Sequence, residues 1–316
     1  MYEGKTVAVV VPAHNEEKLI GQVLETMPDF VDLIIVVDDA STDQTLDVAA
    51  SYCGRLGERL VLLSHKENQG VGAAIVTGYQ HALARGIDVT AVMAGDAQMD
   101  PRDLGRVVAP VVRGEADYVK GNRLFRGESW QMIPHYRYLG NAVLSLLTKI
   151  ASGYWHIADS QSGYTAIARI ALERLDLDRI YKRYGMPNDI LIKLNVSSFR
   201  VRDVPVRPVY NIGEDSGIRL RKVIPTISLL LLRGFFWRLT EKYILRDFHP
   251  LVFFYCMGLT LFPGGIVFGV YLVLYRLFVG TVATTSALFA VFLIVSGLQS
   301  LFFAMWFDMD YNKQLK

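Results

Sequence analysis

Residues 89–100 read Val-Thr-Ala-Val-Met-Ala-Gly-Asp-Ala-Gln-Met-Asp, an apolar run closed by a short acidic loop. A continuous apolar run with a Gly-Asp turn behind it predicts a buried strand that ends in polar groups. Three earlier stretches have the same form. Thr6–Val11 ends in Pro12-Ala13-His14-Asn15-Glu16, Leu33–Val37 ends in Asp38-Asp39-Ala40-Ser41-Thr42-Asp43, and Leu60–Leu63 leads to Glu67-Asn68-Gln69-Gly70-Val71-Gly72. Helical periodicity runs between and after them, over Glu16–Met27, Asp43–Cys53, Val71–Arg85 and Pro101–Val112. Apolar strands alternating with helices predict an α/β domain whose mostly parallel sheet is covered on both faces. In such a sheet ligands bind beyond the carboxyl ends of the strands, where all four polar loops fall. Farther on, Asp117–Gly121 and Phe199–Val206 read as strands and Tyr138–Ala151 as a helix.

The 316 residues are 52% hydrophobic, too apolar for an ordinary soluble enzyme, and the excess is concentrated. From Phe248 to Phe307 the one formally charged side chain is Arg276. Leu251–Tyr275 and Leu277–Phe307 are each long enough to cross a bilayer core at ~1.5 Å per residue, and the link near Arg276–Thr281 is short. A two-span hairpin is expected, at about 251–275 and 281–306. Residues 219–246 carry Arg219, Arg221, Lys222, Arg233, Arg238, Lys242 and Arg246 against Glu241 alone, which assigns both ends of the hairpin to the cytoplasm. Within Val223–Leu245 the uninterrupted apolar portion is too short for a span. It reads as interfacial amphipathic helices, the alternative being a helix packed on the globular part. The expected division is 1–220 globular, 221–247 interfacial, and 248–316 hairpin with a short cytoplasmic tail. Cys53 and Cys256 fall in different segments, so a disulfide between them is not expected. The absence of a signal-peptide pattern after Met1 places the globular part in the cytoplasm.

The loops carry the chemistry. Asp96 and Gln98, two residues apart, offer hard oxygen ligands to Mg²⁺ or Mn²⁺, which in turn neutralises a diphosphate. Asp39 can accept from the N–H donors of a base edge, while Asp43 reads as a helix cap. Pro12 ends its strand so that the backbone beyond it can line a nucleoside pocket. Glu16 fits that wall or a first helical turn, and His14 could be taken for a catalytic base but reads as a loop residue lining the pocket. Gly70 and Gly72 either admit a phosphate or ribose close to the backbone or permit close helix packing. Arg123, after the strand at 117–121, offers a guanidinium fork to a phosphate or is a plain surface charge. Asp159–Tyr164 and Pro187-Asn188-Asp189 are further polar turns.

Pro-Ala-His-Asn-Glu, Val-Asp-Asp-Ala-Ser-Thr-Asp, Asn-Gln-Gly-Val-Gly and Gly-Asp-Ala-Gln-Met-Asp-Pro, in this order and spacing, resemble the GT-A fold glycosyltransferases of family 2. Within that family the chain is similar to the dolichyl/polyprenyl-phosphate sugar synthases, over roughly residues 5–220. The resemblance implies that Asp96 and Gln98 bind the metal and Asp39 the nucleobase. It implies that Pro12, Ala13, Asn15, Glu16 and Gly70 line the nucleotide site. Arg123 and the late loop with Ser216, Arg219 and Arg221 would meet the phosphates of donor or lipid. Asp189 resembles the position of a catalytic base in members with hydroxyl acceptors, or is a carboxylate at a helix start. Ala94 stands where the family's first metal-site aspartate is expected. The implied partners are a nucleotide-diphosphate sugar, UDP-hexose or GDP-mannose, a polyprenyl or dolichyl phosphate and the bilayer. No nucleic acid is implied, and a homo-oligomer is compatible. The implied reaction is transfer of a hexose with inversion. Competing readings are a same-fold transferase that extends a glycan, though its Gln-x-x-Arg-Trp motif is absent, and a non-catalytic nucleotide-sugar-binding membrane protein.

Overall fold

The structure is a computed structural model that describes residues 1–124, 135–207, 209 and 220–316, with only the backbone of 135–139, 141 and 220–223. It divides into two units, Met1–Phe235 with Leu315–Lys316, and Phe236–Gln314.

The first unit is built on strands β1 (Val7–Ala13), β2 (Leu33–Asp38), β3 (Leu60–Ser64), β4 (Val89–Val92), β5 (Tyr118–Asn122), β6 (Thr165–Ala168) and β7 (Val201–Pro205). Their order across the sheet is β3-β2-β1-β4-β6-β5-β7, with β6 antiparallel to both neighbours and every other pairing parallel. All seven residues of β1 are buried because alternate side chains enter different cores. Val7, Val9 and Val11 join a cluster with Ile20, Leu24, Leu104 and Val108, while Ala8 and Val10 join one with Ala74, Tyr79, Leu172 and Ile190. Helices α1 (Ile20–Glu25), α2 (Thr45–Ser51), α3 (Cys53–Leu56), α4 (Val71–Ala84) and α5 (Leu104–Val112) supply much of these layers. The α/β class and the parallel strands match the expectation. β6 was not legible: Thr-Ala-Ile-Ala is four residues long with two alanines, and only the β4 and β5 edges make it a strand.

After α6 (His135–Ser152) and α7 (Arg169–Arg174), α8 (Met186–Val196) packs Ile190, Leu191 and Leu194 into the second core. A single helix, α9 (Leu220–Thr240), then stands where interfacial helices were expected, and residues 241–246 continue it as one π-helical stretch. Ile227, Leu231 and Phe235 are buried four residues apart, and Gly234 lies against Ile192 of α8. Ile224, Leu229 and Leu232 remain exposed. Packing on the globular part and an open apolar face therefore describe two sides of one helix. The first compact unit ends within this helix, at Phe235.

In the second unit α10 (Leu251–Phe278) and α11 (Thr284–Tyr311) form an apolar hairpin, each long and apolar enough to cross a membrane. Gly297 brings the two backbones together, since a Cβ there would lie 2.3 Å from Phe262 N. Beside the hairpin's paired ends, Arg238 and Asp308 form a fully buried bidentate pair with contacts of 2.7 and 3.0 Å. Tyr243 donates to the same carboxylate at 2.5 Å, and Lys242 donates to Asn312 at 2.8 Å. Burial beside Arg238 pushes the Lys242 ammonium down to about 7. Both cysteines are free.

Candidate active site

Parallel pairing of β1 with β2 and β4, and of β2 with β3, brings four polar loops to one edge of the sheet. The loops are also stitched together. Gly95 N donates to Pro12 O at 3.0 Å, and Asp39 N to Ala13 O at 2.8 Å. Asn15 holds a positive φ of 59° and accepts from Thr42 N at 2.8 Å, while its own amide donates to Ser41 Oγ at 2.9 Å. Glu16 N donates to Thr45 Oγ1 at 2.7 Å. Asp43, expected as the helix cap, lies one residue before the Gln44 N-cap of α2; its carboxylate takes Thr45 N and also Glu17 N, and so ties the second loop to the first. Pro12, Ala13, Asn15 and Glu16 thus form one wall with residues 38–45.

Asp39 is 3% exposed, and its carboxylate is committed inward. Oδ1 accepts from Gln69 N at 2.9 Å and lies 2.8 Å from His65 Nδ1; Oδ2 accepts from Gly70 N at 2.7 Å. Burial alone would raise its pKa, but the hydrogen bonds from His65, Gln69 and Gly70 outweigh it and hold the carboxyl below the ordinary range. Of about four acceptor directions on a carboxylate, three are taken from within the protein.

Gly70 sits at φ 100°, and a Cβ there would lie 2.6 Å from Lys182 O; one on Gly72 would lie 2.5 Å from Tyr181 O. The two glycines admit the 181–183 backbone, so close packing is what they serve here, with the Gly70 amide already given to Asp39.

Asp96 follows β4, and its Oδ1 accepts from Gln98 N at 3.1 Å. Burial raises the carboxyl above its usual range, against the opposing pulls of the Gln98 amide and the Arg123 charge. Gln98, Met99 and Arg123 line a narrow cleft with Ser162, Gly163 and Val206. Arg123 is no plain surface charge, because its guanidinium meets Asp159 at 2.8 and 3.2 Å and its backbone N–H meets the same carboxylate. Asp159 is 2% exposed; burial would raise its pKa, yet Arg123 and then Lys120 hold it below the usual range. Lys120, fully buried on β5, donates to Ser162 O at 2.7 Å, and burial lowers its pKa. Asp203 on β7 takes Asn122 Nδ2 and Ala158 N, and burial raises it. In the sequence Lys120 stood out only within the Lys120–Arg123 stretch, Asp159 only as part of a turn, and Asp203 not at all.

Asp189 lies in the first turn of α8, where its carboxylate takes Tyr181 N at 2.8 Å and pairs with Lys193. The helix-start reading describes these contacts, which face the 181–183 segment. Ser216 and Arg219 lie outside the described residues, as does the side chain of Arg221.

No group of three or more His, Cys, Asp or Glu side chains is placed to hold a metal among the described residues. Asp96 and Gln98 are too few for a closed protein site. They suit an ion that brings substrate phosphates and waters as its other ligands, as Mg²⁺ commonly does. The raised Asp96 carboxyl fits such a place, being a half-buried anion whose desolvation its neighbours do not offset. A wider groove of about 470 Å³ lies between α5 and β7. Its Arg106, Arg113 and Arg202 are paired with Asp103, Glu3 and Glu115, and none of the strand-end loops lines it.

The sequence model of the family described as Glycosyl transferase family 2 matches residues 8–176. The chain is 29% identical over 218 residues to the UDP-N-acetylglucosamine–dolichyl-phosphate N-acetylglucosaminyltransferase of Methanococcus voltae, covering 65% of this chain and 86% of that protein. It is 27% identical over 234 residues to polyprenol monophosphomannose synthase of Mycolicibacterium smegmatis, covering 72% and 87%. Glucosyl-3-phosphoglycerate synthase of Mycobacterium tuberculosis, solved with Mn²⁺ and UDP-glucose, superposes with a TM-score of 0.52 at 23% identity. That superposition covers 74% of this chain and 79% of the other, and shows the GT-A fold.

Proposed function

The chain belongs to glycosyl transferase family 2 and carries two helices long and apolar enough to cross a membrane, and from this we propose that it is a membrane-bound enzyme that transfers a hexose from a nucleotide-diphosphate sugar to a polyprenyl or dolichyl monophosphate. The observation that carries the reading is the set of four loops joined at one sheet edge, Asp96 within the fourth and Arg123 beside it, on a chain that ends in two apolar helices. The names of the two relatives support the lipid phosphate acceptor.

A lipid monophosphate is largely dianionic at neutral pH, since the second pKa of a phosphate is ~6. Its oxygen attacks the anomeric carbon, a C–O bond forms, and the bond to the nucleoside diphosphate breaks on the opposite face, inverting the centre. No strong base is needed, which agrees with Asp189 holding a backbone amide and Lys193. Asp96 and Gln98 would hold a Mg²⁺ or Mn²⁺ ion, which supplies charge neutralisation to the departing diphosphate. Arg123, oriented by Asp159, presents its charge to a donor or lipid phosphate. Pro12, Ala13, Asn15 and Glu16 line the nucleoside pocket, and Asp39 faces the base with its uncommitted acceptor direction. Ser216, Arg219 and Arg221 receive the lipid phosphate. The cation-rich stretch 219–246 keeps the catalytic unit on the cytoplasmic side.

Purified full-length protein in detergent, supplied with polyprenyl phosphate, Mg²⁺ or Mn²⁺, and UDP-hexoses or GDP-mannose in turn, tests this. A lipid-linked sugar and an equimolar nucleoside diphosphate are expected with one donor class. Folded protein that gives neither product with any donor overturns the reading.

A further inference from the structure

His65 belongs to none of the motifs, yet it sits between three elements of the site. Asp38 and Ser64 are register partners in the parallel β2–β3 pair, so the next residues, Asp39 and His65, leave the sheet side by side. The His65 side chain is 9% exposed; Nδ1 lies 2.8 Å from Asp39 Oδ1 and Nε2 2.9 Å from Thr77 Oγ1 on α4. An ionised carboxylate only accepts, so Nδ1 carries the proton, and in the neutral ring Nε2 then accepts from the Thr77 hydroxyl. Held in this way, the Asp39 carboxylate receives the Gln69 and Gly70 amides at 2.9 and 2.7 Å. On its other side the same turn meets the 181–183 backbone, with Ala73 N donating to Lys182 O at 3.1 Å. The segment 181–183 is in turn held by Asp189 through Tyr181 N.

We propose that His65 is a positioning residue for the donor half of the site. It fixes the Asp39 carboxylate so that the Gln69–Gly70 turn, and with it one wall of the nucleotide pocket, is formed before the donor arrives. The inference rests on the reading of these loops as the nucleotide site. His65 touches no reacting atom. Its effect is on ordering: a wall that must form on binding draws its entropy cost from the binding free energy, whereas a wall already set does not. Loss of His65 therefore weakens donor binding and leaves the chemical step nearly intact, because the bound complex reaches the same geometry.

The test uses the full-length enzyme in detergent. His65→Phe keeps a ring and removes both hydrogen bonds, His65→Asn keeps a donor near the Nδ1 position, and Thr77→Val removes the second contact alone. UDP and GDP with Mg²⁺ are titrated by calorimetry, donor KM and kcat are measured, and amide exchange is followed over residues 65–73. For His65→Phe we expect donor KM and nucleotide Kd to rise roughly tenfold or more, the scale of a lost hydrogen bond to a charged group, with kcat within about twofold. Exchange at Gln69 and Gly70 should quicken while the core strands stay protected. His65→Asn should recover most of the affinity, and Thr77→Val should fall between. Wild-type affinity in His65→Phe, or a loss confined to kcat, or an Asn variant as weak as Phe, overturns the proposal. Should His65→Phe fail to fold, Thr77→Val decides: unchanged nucleotide affinity and unchanged exchange in the turn overturn it. Wild-type protein that binds neither nucleotide defeats the reading of the site instead, and the exchange arm still decides whether His65 orders the turn.

Discussion

Asp96 is a half-buried carboxylate whose desolvation the fold does not fully compensate, and this sets its expected behaviour. Asp96→Asn keeps shape and hydrogen bonding but removes the one full charge offered to the metal, so turnover should fall by about a hundredfold or more, with the melting temperature unchanged or higher. Gln98→Ala should be milder, since a neutral amide contributes less to charge neutralisation; equal losses in the two variants would remove the metal assignment. The pH dependence follows from the raised pKa. A proton and a metal ion compete for the carboxylate, so Mn²⁺ affinity should fall toward acid, starting above the range of an ordinary carboxyl at ~3.9. The effect on stability has the opposite sign. A folded-state pKa above the unfolded one means that the native state holds more protons, so Asp96 detracts from stability as pH rises through that window. Mn²⁺ titrations in the presence of UDP at a series of pH values, on wild type and Asp96→Asn, check the first claim; an affinity in wild type that does not change with pH contradicts it.

At the scale of an element, the Glu67–Gly72 turn shows why composition alone leaves glycines ambiguous. Gly70 needs both its φ of 100° and the space that Lys182 O would deny a Cβ. Gly114 shares a positive φ, of 69°, but nothing lies within 4 Å of a Cβ placed there. Gly114→Ala should therefore show backbone strain alone, about 1 kcal/mol. Gly70→Ala adds displacement of the 181–183 segment and should cost about 1–3 kcal/mol, with weakened nucleotide binding as well. Thermal unfolding and calorimetry on the two variants separate the terms. Equal costs and unchanged nucleotide affinity would mean that the 181–183 contact carries no weight.

For the whole molecule, the two units carry separate expectations. Every described residue of the candidate site lies within Met1–Phe235, so a chain ending before residue 248 should still bind nucleotide while using long-chain lipid phosphate poorly, through lost local concentration at the membrane. A truncated protein that is folded but cannot bind nucleotide would make the hairpin part of the site. In the second unit, Asp308→Asn should leave the Arg238 guanidinium buried with its countercharge gone, at a cost of ~3–5 kcal/mol. Replacing both members by apolar residues, Arg238→Met with Asp308→Leu, should recover most of that loss. Unfolding midpoints in detergent measure both, and a single variant as stable as wild type would show the pair to be dispensable.

What the sequence determined by itself is whatever short-range pattern can carry. Continuous apolar runs require buried strands, helical periodicity between them requires the covering layers, and uncharged lengths beyond residue 250 give two helices long and apolar enough to cross a membrane. Those signals lie within single segments, so the α/β class, the four loop positions and the hairpin were all legible. The partner of each polar group was not, because a carboxylate takes whichever donors the fold delivers, and those are distant in the chain. Asp39 meets amides thirty residues on, Arg123 meets Asp159, and Arg238 meets Asp308 seventy residues away. β6 became a strand only between two existing edges, and α9 was divided between protein and open surface only by the position of α8. Burial then decided charge, raising Asp96 while the donors around Asp39 lowered it, and no property of an isolated aspartate separates those outcomes.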